Sequence, residues 1–158
     1  MAPRTAYLIH GYLGAGKTTF ALALARRTGA LRYSPDDHMV ERHGHDPPAA
    51  HFDAWLERIV AEQNLAWPQT LASGRDVVLD FGFWTRAWRD DARARAHAAG
   101  AETKLYFVHC SEAVARERCL QRNLDPGKSL YVSENTFDVL KARFEPLAAD
   151  EPFELVET

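Results

Sequence analysis

Residues 11–18 read Gly-Tyr-Leu-Gly-Ala-Gly-Lys-Thr, the spacing G-x-x-x-x-G-K-T. A polyphosphate is wrapped best by backbone N–H donors, so the loop that holds it must leave its backbone bare. Gly11, Gly14 and Gly16 permit that approach, and a helix starting just after them adds a favourable dipole. Lys17 can reach the β- and γ-phosphates, and the Thr18 hydroxyl can take a Mg²⁺ position. Gly11, Gly14, Ala15, Gly16, Lys17, Thr18 and Thr19 are therefore the nucleotide-binding candidates, with ATP and Mg²⁺ as the expected cofactors.

A second cluster, Ser-Pro-Asp-Asp-His-Met, covers residues 34–39. An anionic acceptor needs arginines, whereas an alcohol acceptor needs a carboxylate that aligns its hydroxyl and takes the proton. The pair Asp36 and Asp37 favours an alcohol; the plainer alternative is that Asp36 caps the following helix. This reading places the second strand beside the first, with both acids close to the γ-phosphate. Asp80 ends the run Val-Val-Leu-Asp, where a carboxylate can hold magnesium through water or orient Thr18.

The segment after Asp80 is rich in aromatic and basic residues, on the edge of the sheet where ligands bind in such folds. Phe83, Trp84, Arg86 and Arg89 join Asp37, His38 and Arg42 as acceptor-pocket candidates, although some of the aromatics must be core. Arg118 and Arg122 lie one helical turn apart and can stabilise charge on a transferring phosphoryl group, or simply pair with Glu112 and Glu117 on a solvated face. The following loop, about residues 123–134, has the character of a lid that closes over ATP and excludes water. His43, His45 and His51 lack a further Cys or His cluster at ligand spacing, so a solvated loop is expected there rather than a metal site.

These side chains need a scaffold. Apolar runs at 5–10, 31–34, 76–81, 103–108 and 153–157 read as strands. Helical patterns fill 17–28, 51–73, 85–99, 111–123 and 133–147, with one or two turns after Pro35 and a kink or split expected at Pro68. The alternation predicts one doubly wound α/β domain of 158 residues. A net charge of -3 gives no overall pull toward nucleic acid or an anionic membrane. Cys110 and Cys119 fit no disulfide or metal pattern and read as buried thiols. Neither a signal peptide nor a membrane-spanning run is visible, so a cytosolic protein is expected.

The motifs HGYLGAGKTTFA, SPDDHM and VVLDFGFWTRAWRD, with the Arg-rich helix beyond them, resemble the small P-loop kinases related to polynucleotide 5′-hydroxyl kinase, zeta toxins and chloramphenicol phosphotransferase. The resemblance covers nearly the whole chain. It implies a five-stranded parallel sheet sandwiched by helices, and transfer of the γ-phosphate of ATP to an alcohol. It also implies Asp36 as general base, Lys17 and Thr18 as phosphate and magnesium residues, Arg122 as the lid arginine with Arg118 near it, and Asp80 as the strand-end acid. Polynucleotide kinases carry an arginine closely after the acidic pair; here that place falls near Met39, with Arg42 further on. A small-molecule acceptor, such as an antibiotic or a nucleoside-like compound, is therefore favoured over a nucleic acid end or a sugar nucleotide. A nucleotide-dependent switch ATPase is the non-kinase alternative.

Overall fold

Strand β3, Val77–Gly82, is buried at every position. Complete burial is what a parallel strand covered by helices on both faces requires. The computed structural model describes residues 2–125 and 129–158. In it β3 lies between β2, Leu31–Tyr33, and β1, Thr5–His10. Beyond β1 come β4, Glu102–His109, and β5, Glu154–Glu157, so the order is β2-β3-β1-β4-β5. Every pairing is parallel. The second strand is thus not the neighbour of the first. β3 intervenes, and the acids that follow β2 reach the site from a helix, one strand further out than the sequence suggests.

Helix α1, Lys17–Thr28, begins at the glycine turn and ends at Gly29 in a left-handed conformation. Helix α2, Pro35–His43, has Pro at its first position and Ser34 as its cap, accepting from the Asp37 N–H at 3.2 Å. Helix α3, Ala49–Ala72, runs unbroken through Pro68. The expected split does not occur, and the Asn64 carbonyl, which Pro68 cannot serve, accepts from Arg95 Nη1 at 3.4 Å. Helices α4, Arg86–Ala98, and α5, Glu112–Arg122, start at Thr85 and Ser111, whose hydroxyls accept first-turn N–H groups.

Helix α6, Glu134–Leu140, is shorter than the pattern over 133–147 suggests. One 3-10 turn, Lys141–Arg143, follows it, and Phe144 is extended at φ -86° and ψ 109°. Pro146 cannot continue a helix, and the ring of Phe144 is drawn inward to stack on His10 at 4.8 Å.

Two cores flank the sheet. Trp67, Leu71, Leu79, Ala92 and Ala96 pack on the α3–α4 side. Ala21, Leu24, Val78, Tyr106 and Val108 pack on the α1 side. Cys119 is buried and Cys110 half-buried, and both are free thiols. Among the described residues, no helix is long and apolar enough to cross a membrane.

Candidate active site

β1 delivers the chain into the glycine turn, which is built partly by its own backbone. Gly11 N–H donates to Gly82 O at 3.2 Å, and Ala15 N–H to Tyr12 O at 3.2 Å. Gly14 sits at φ +75°, and a Cβ there would meet the Ala115 carbonyl oxygen at 2.2 Å. This glycine lets the loop lie against α5 as well as baring its backbone. Gly16, at φ +98°, precedes α1 without a side-chain cap. The first-turn N–H groups of α1 therefore face outward as anion donors.

Thr18 and Thr19 are exposed at that helix start. Lys17 Nζ donates to Tyr12 O at 2.7 Å, folding the ammonium over its own loop. Its pKa is pushed down by burial, with Asp80 and Asp36 pulling the other way and Arg122 adding to the depression. Asp80 and Arg122 act on Asp36 as well, together with Lys17 and Asp37. Desolvation by surrounding protein raises its carboxyl although the residue is exposed; Lys17 opposes that, Asp80 and Asp37 reinforce it, and Arg122 opposes it. Lys17, Asp36, Asp80 and Arg122, which stand far apart in the chain, thus share one electrostatic neighbourhood.

Ser34 does the capping at α2, so the Asp36 side chain is released from that duty. Asp80 is 4 % exposed and pairs with Arg32, whose Nε and Nη2 both donate to Oδ2 at 3.1 and 2.7 Å. Arg32 Nη1 also holds Asp37 at 2.6 Å. The pattern reading missed Arg32 because an arginine in a three-residue edge strand carries no motif. Thr18 and Asp80 are the hard oxygen donors that a magnesium ion would take, directly or through water.

The remaining candidates divide between crevice, surface and core. His38 contacts the Gln63 amide through Nδ1. Arg42 is exposed and paired with Glu62 at 2.6 Å. Trp84 donates from Nε1 to Gly11 O at 3.1 Å and packs on Tyr12, beside the glycine turn. Phe83 has no exposure and lies in the core. Arg86 binds Asp90 and Asp150 at the surface. Arg89 is buried, with its donors taken by Glu151, Phe83 O, Glu145 O and Pro146 O. The structure therefore brings Trp84 to the phosphate loop and places Phe83, Arg86 and Arg89 elsewhere.

Arg118 Nη1 touches Gly14 O and Ala15 O at 3.4 Å and Thr158 Oγ1 at 2.8 Å, so it braces the loop from behind. Arg122 is exposed, with Nη2 3.4 Å from Cys119 Sγ. The two ends of the loop expected to act as a lid are joined by Asn123, which bonds both the N–H and the carbonyl of Val132. Residues 126–128 of that lid lie outside the described residues. His43 and His51 both stack on Trp55, at 3.9 and 5.0 Å, and His45 Nδ1 meets Ser129 O. Among the described residues, no group of three or more His, Cys, Asp or Glu is arranged to hold a metal ion.

A parallel sheet carrying a phosphate loop at the end of β1, with acids on the neighbouring strand and on α2, defines a P-loop α/β fold. The chain belongs to the AAA domain family, whose model matches residues 7–147. Solved structures share the fold. A gluconokinase from Sinorhizobium meliloti 1021 aligns at TM-score 0.66 and 20% identity, over 99% of this chain and 84% of its own. The APS kinase CysC of Mycobacterium tuberculosis, in complex with AMPPNP and APS, aligns at 0.61 and 15% identity over 99% and 90%. A chain of the Pnkp1/Rnl/Hen1 RNA repair complex aligns at 0.70 and 18% identity, over 90% of this chain and 44% of its own. No curated protein matches the chain in sequence.

Proposed function

We propose that this chain transfers the γ-phosphoryl group of ATP, bound with Mg²⁺, to a hydroxyl of a small molecule. The observation that carries this reading is Asp36, an exposed carboxylate freed from capping by Ser34 and set in the field of Lys17 and Arg122. Alcohol phosphorylation needs a base beside the acceptor and cations around the transferred group. The glycine turn and the α1 N-terminus hold the donor phosphates, and Lys17 leaves Tyr12 O to meet them. Asp36 aligns the acceptor hydroxyl and accepts its proton as the new O–Pγ bond forms and the bond from Pγ to the β,γ-bridging oxygen breaks, releasing ADP; Lys17 and Arg122 balance the charge on the phosphoryl oxygens. Thr18 and Asp80 would hold the magnesium ion, which would supply further charge neutralisation to the donor phosphates.

Arg42 and Arg86 are each bound to protein carboxylates, which supports an acceptor other than a polynucleotide end. An antibiotic or nucleoside-like alcohol is the acceptor class we favour. Labelled γ-phosphate transfer should be screened over nucleosides, aminoglycosides, phenicols, sugar nucleotides and oligonucleotides. With the acceptor found, Asp36→Asn should lower turnover by roughly 10²–10⁴-fold while ATP affinity stays unchanged. Equal turnover in that variant would remove Asp36 from the mechanism. Slow ATP hydrolysis with no acceptor phosphorylated would favour a switch ATPase.

A further inference from the structure

Arg32 is the residue on which the donor and acceptor halves of the site converge. It lies on β2, opposite Val78 of β3 in the parallel register. Asp80 is two residues beyond Val78, so strand periodicity turns it to the same face, one step nearer the ligand edge. The guanidinium fork then closes the gap. Nε and Nη2 take Asp80 Oδ2 at 3.1 and 2.7 Å, and Nη1 takes Asp37 Oδ2 at 2.6 Å. The arginine side chain is 13 % exposed and that of Asp80 4 %. One planar cation thus joins a buried acid of the sheet to the first turn of α2, where Asp36 is the adjoining residue.

The site needs such a tie. β2 has only three residues and pairs with β3 alone, so its short ladder is a weak anchor for the chain that leads into α2. A lysine could satisfy one of the two acids as a point charge, but it could not grip both in fixed geometry. Both bonds to Asp80 end on Oδ2, which leaves the Oδ1 side of that carboxylate clear of the guanidinium. The charge of Arg32 also offsets two of the acids that otherwise crowd Asp36.

We infer that Arg32 is a positioning residue for phosphoryl transfer: it ties Asp80 to the start of α2 and thereby holds Asp36 opposite Lys17. The inference rests on the kinase reading above. It predicts that loss of the tie impairs turnover more than nucleotide binding, since Arg32 contacts acids of the site and none of the glycine turn.

The test compares Arg32→Met, Arg32→Lys and Asp37→Asn in the full chain. Asp37→Asn loosens only the exposed arm, and so stays informative if Arg32→Met fails to fold. Hydrogen exchange of the α2 amides over residues 39–43 should quicken at least tenfold in Arg32→Met and several-fold in Asp37→Asn, with the α1 amides unchanged. ADP affinity should stay within threefold of wild type. For whichever acceptor the wild-type protein phosphorylates, kcat should fall at least thirtyfold in Arg32→Met with little change in KM, and Arg32→Lys should recover only part of it. Unchanged α2 exchange, or a rise in KM at constant kcat, would overturn the inference. If the wild-type protein phosphorylates no hydroxyl acceptor at all, it is the kinase reading that fails, and the inference goes with it.

Discussion

His10 closes β1 one residue before the glycine turn, and its surroundings make it a pH-sensitive support of the site. The imidazole has no exposure, bonds the Phe83 carbonyl through Nδ1 at 2.9 Å, and lies between the rings of Phe107 and Phe144. A nitrogen facing a carbonyl must carry the proton, so Nδ1 donates, and Nε2 has no hydrogen-bond partner among the described residues. Burial pushes the pKa down to about 4, against the pull of the Phe83 carbonyl. An unfolded histidine titrates near 6.5, so between about 6.5 and 4 the unfolded chain binds the extra proton. Stability should therefore fall as pH falls through that window, by up to roughly 3 kcal/mol from this group. Urea unfolding at pH 7 and pH 5 should show the loss in the wild-type protein and a smaller one in His10→Asn. An equal slope in both would place the acid sensitivity elsewhere.

Among the elements, α4 and the segment before β5 are joined by a buried ion pair whose arginine, Arg89, the sequence pattern offers as an acceptor-pocket candidate. Arg89 Nε and Nη2 grip both oxygens of Glu151 at 2.8 and 3.0 Å, and the two side chains are 0 % and 1 % exposed. Burial alone would raise the Glu151 carboxyl, but bonds from Arg89, Ala148 N–H and Arg93 override it and hold the pKa at about 2. This stabilisation is present above the ordinary glutamate pKa near 4.5 and is lost as pH falls from there toward 2. Arg89→Met, which leaves the buried Glu151 carboxylate only Arg93 and the Ala148 N–H as close partners, should cost up to about 3 kcal/mol in urea unfolding at pH 7. The double variant Arg89→Met/Glu151→Leu should recover much of that, since no charge is then left unpaired. A cost below about 1 kcal/mol for the single variant would mean that water reaches Glu151 and the pair is not dry.

For the whole molecule, ligand linkage offers the broadest check. If the glycine turn binds nucleotide in the native state alone, ADP with magnesium at about a hundred times its Kd adds roughly 2.7 kcal/mol. For a chain of this size that should raise Tm by about 5–10 °C. Lys17→Ala should lose most of the shift while folding normally; a full shift in that variant would place the nucleotide elsewhere. With a net charge of -3, binding of an oligonucleotide should be weak and lack the steep salt dependence of a protein that neutralises many phosphates. A steep slope would restore the polynucleotide reading.

Local signals made much of this legible in the amino-acid sequence alone. The phosphate loop, the bounds of α1, the strands and the acidic pair all follow from glycine spacing, apolar runs and charge, which act over a few residues. Tertiary structure decided what depends on groups distant in the chain. The strand order inserted β3 between β1 and β2. A carbonyl on α3 met Arg95 and let the helix pass Pro68. The side-chain carboxylate of Glu151 holds Arg89 in the core and out of the crevice. Arg32 found its two acids only when β2 and β3 came into register. Chain spacing cannot encode such pairings, because an arginine looks the same in sequence whether its partner is water, a substrate or a buried acid 48 residues away.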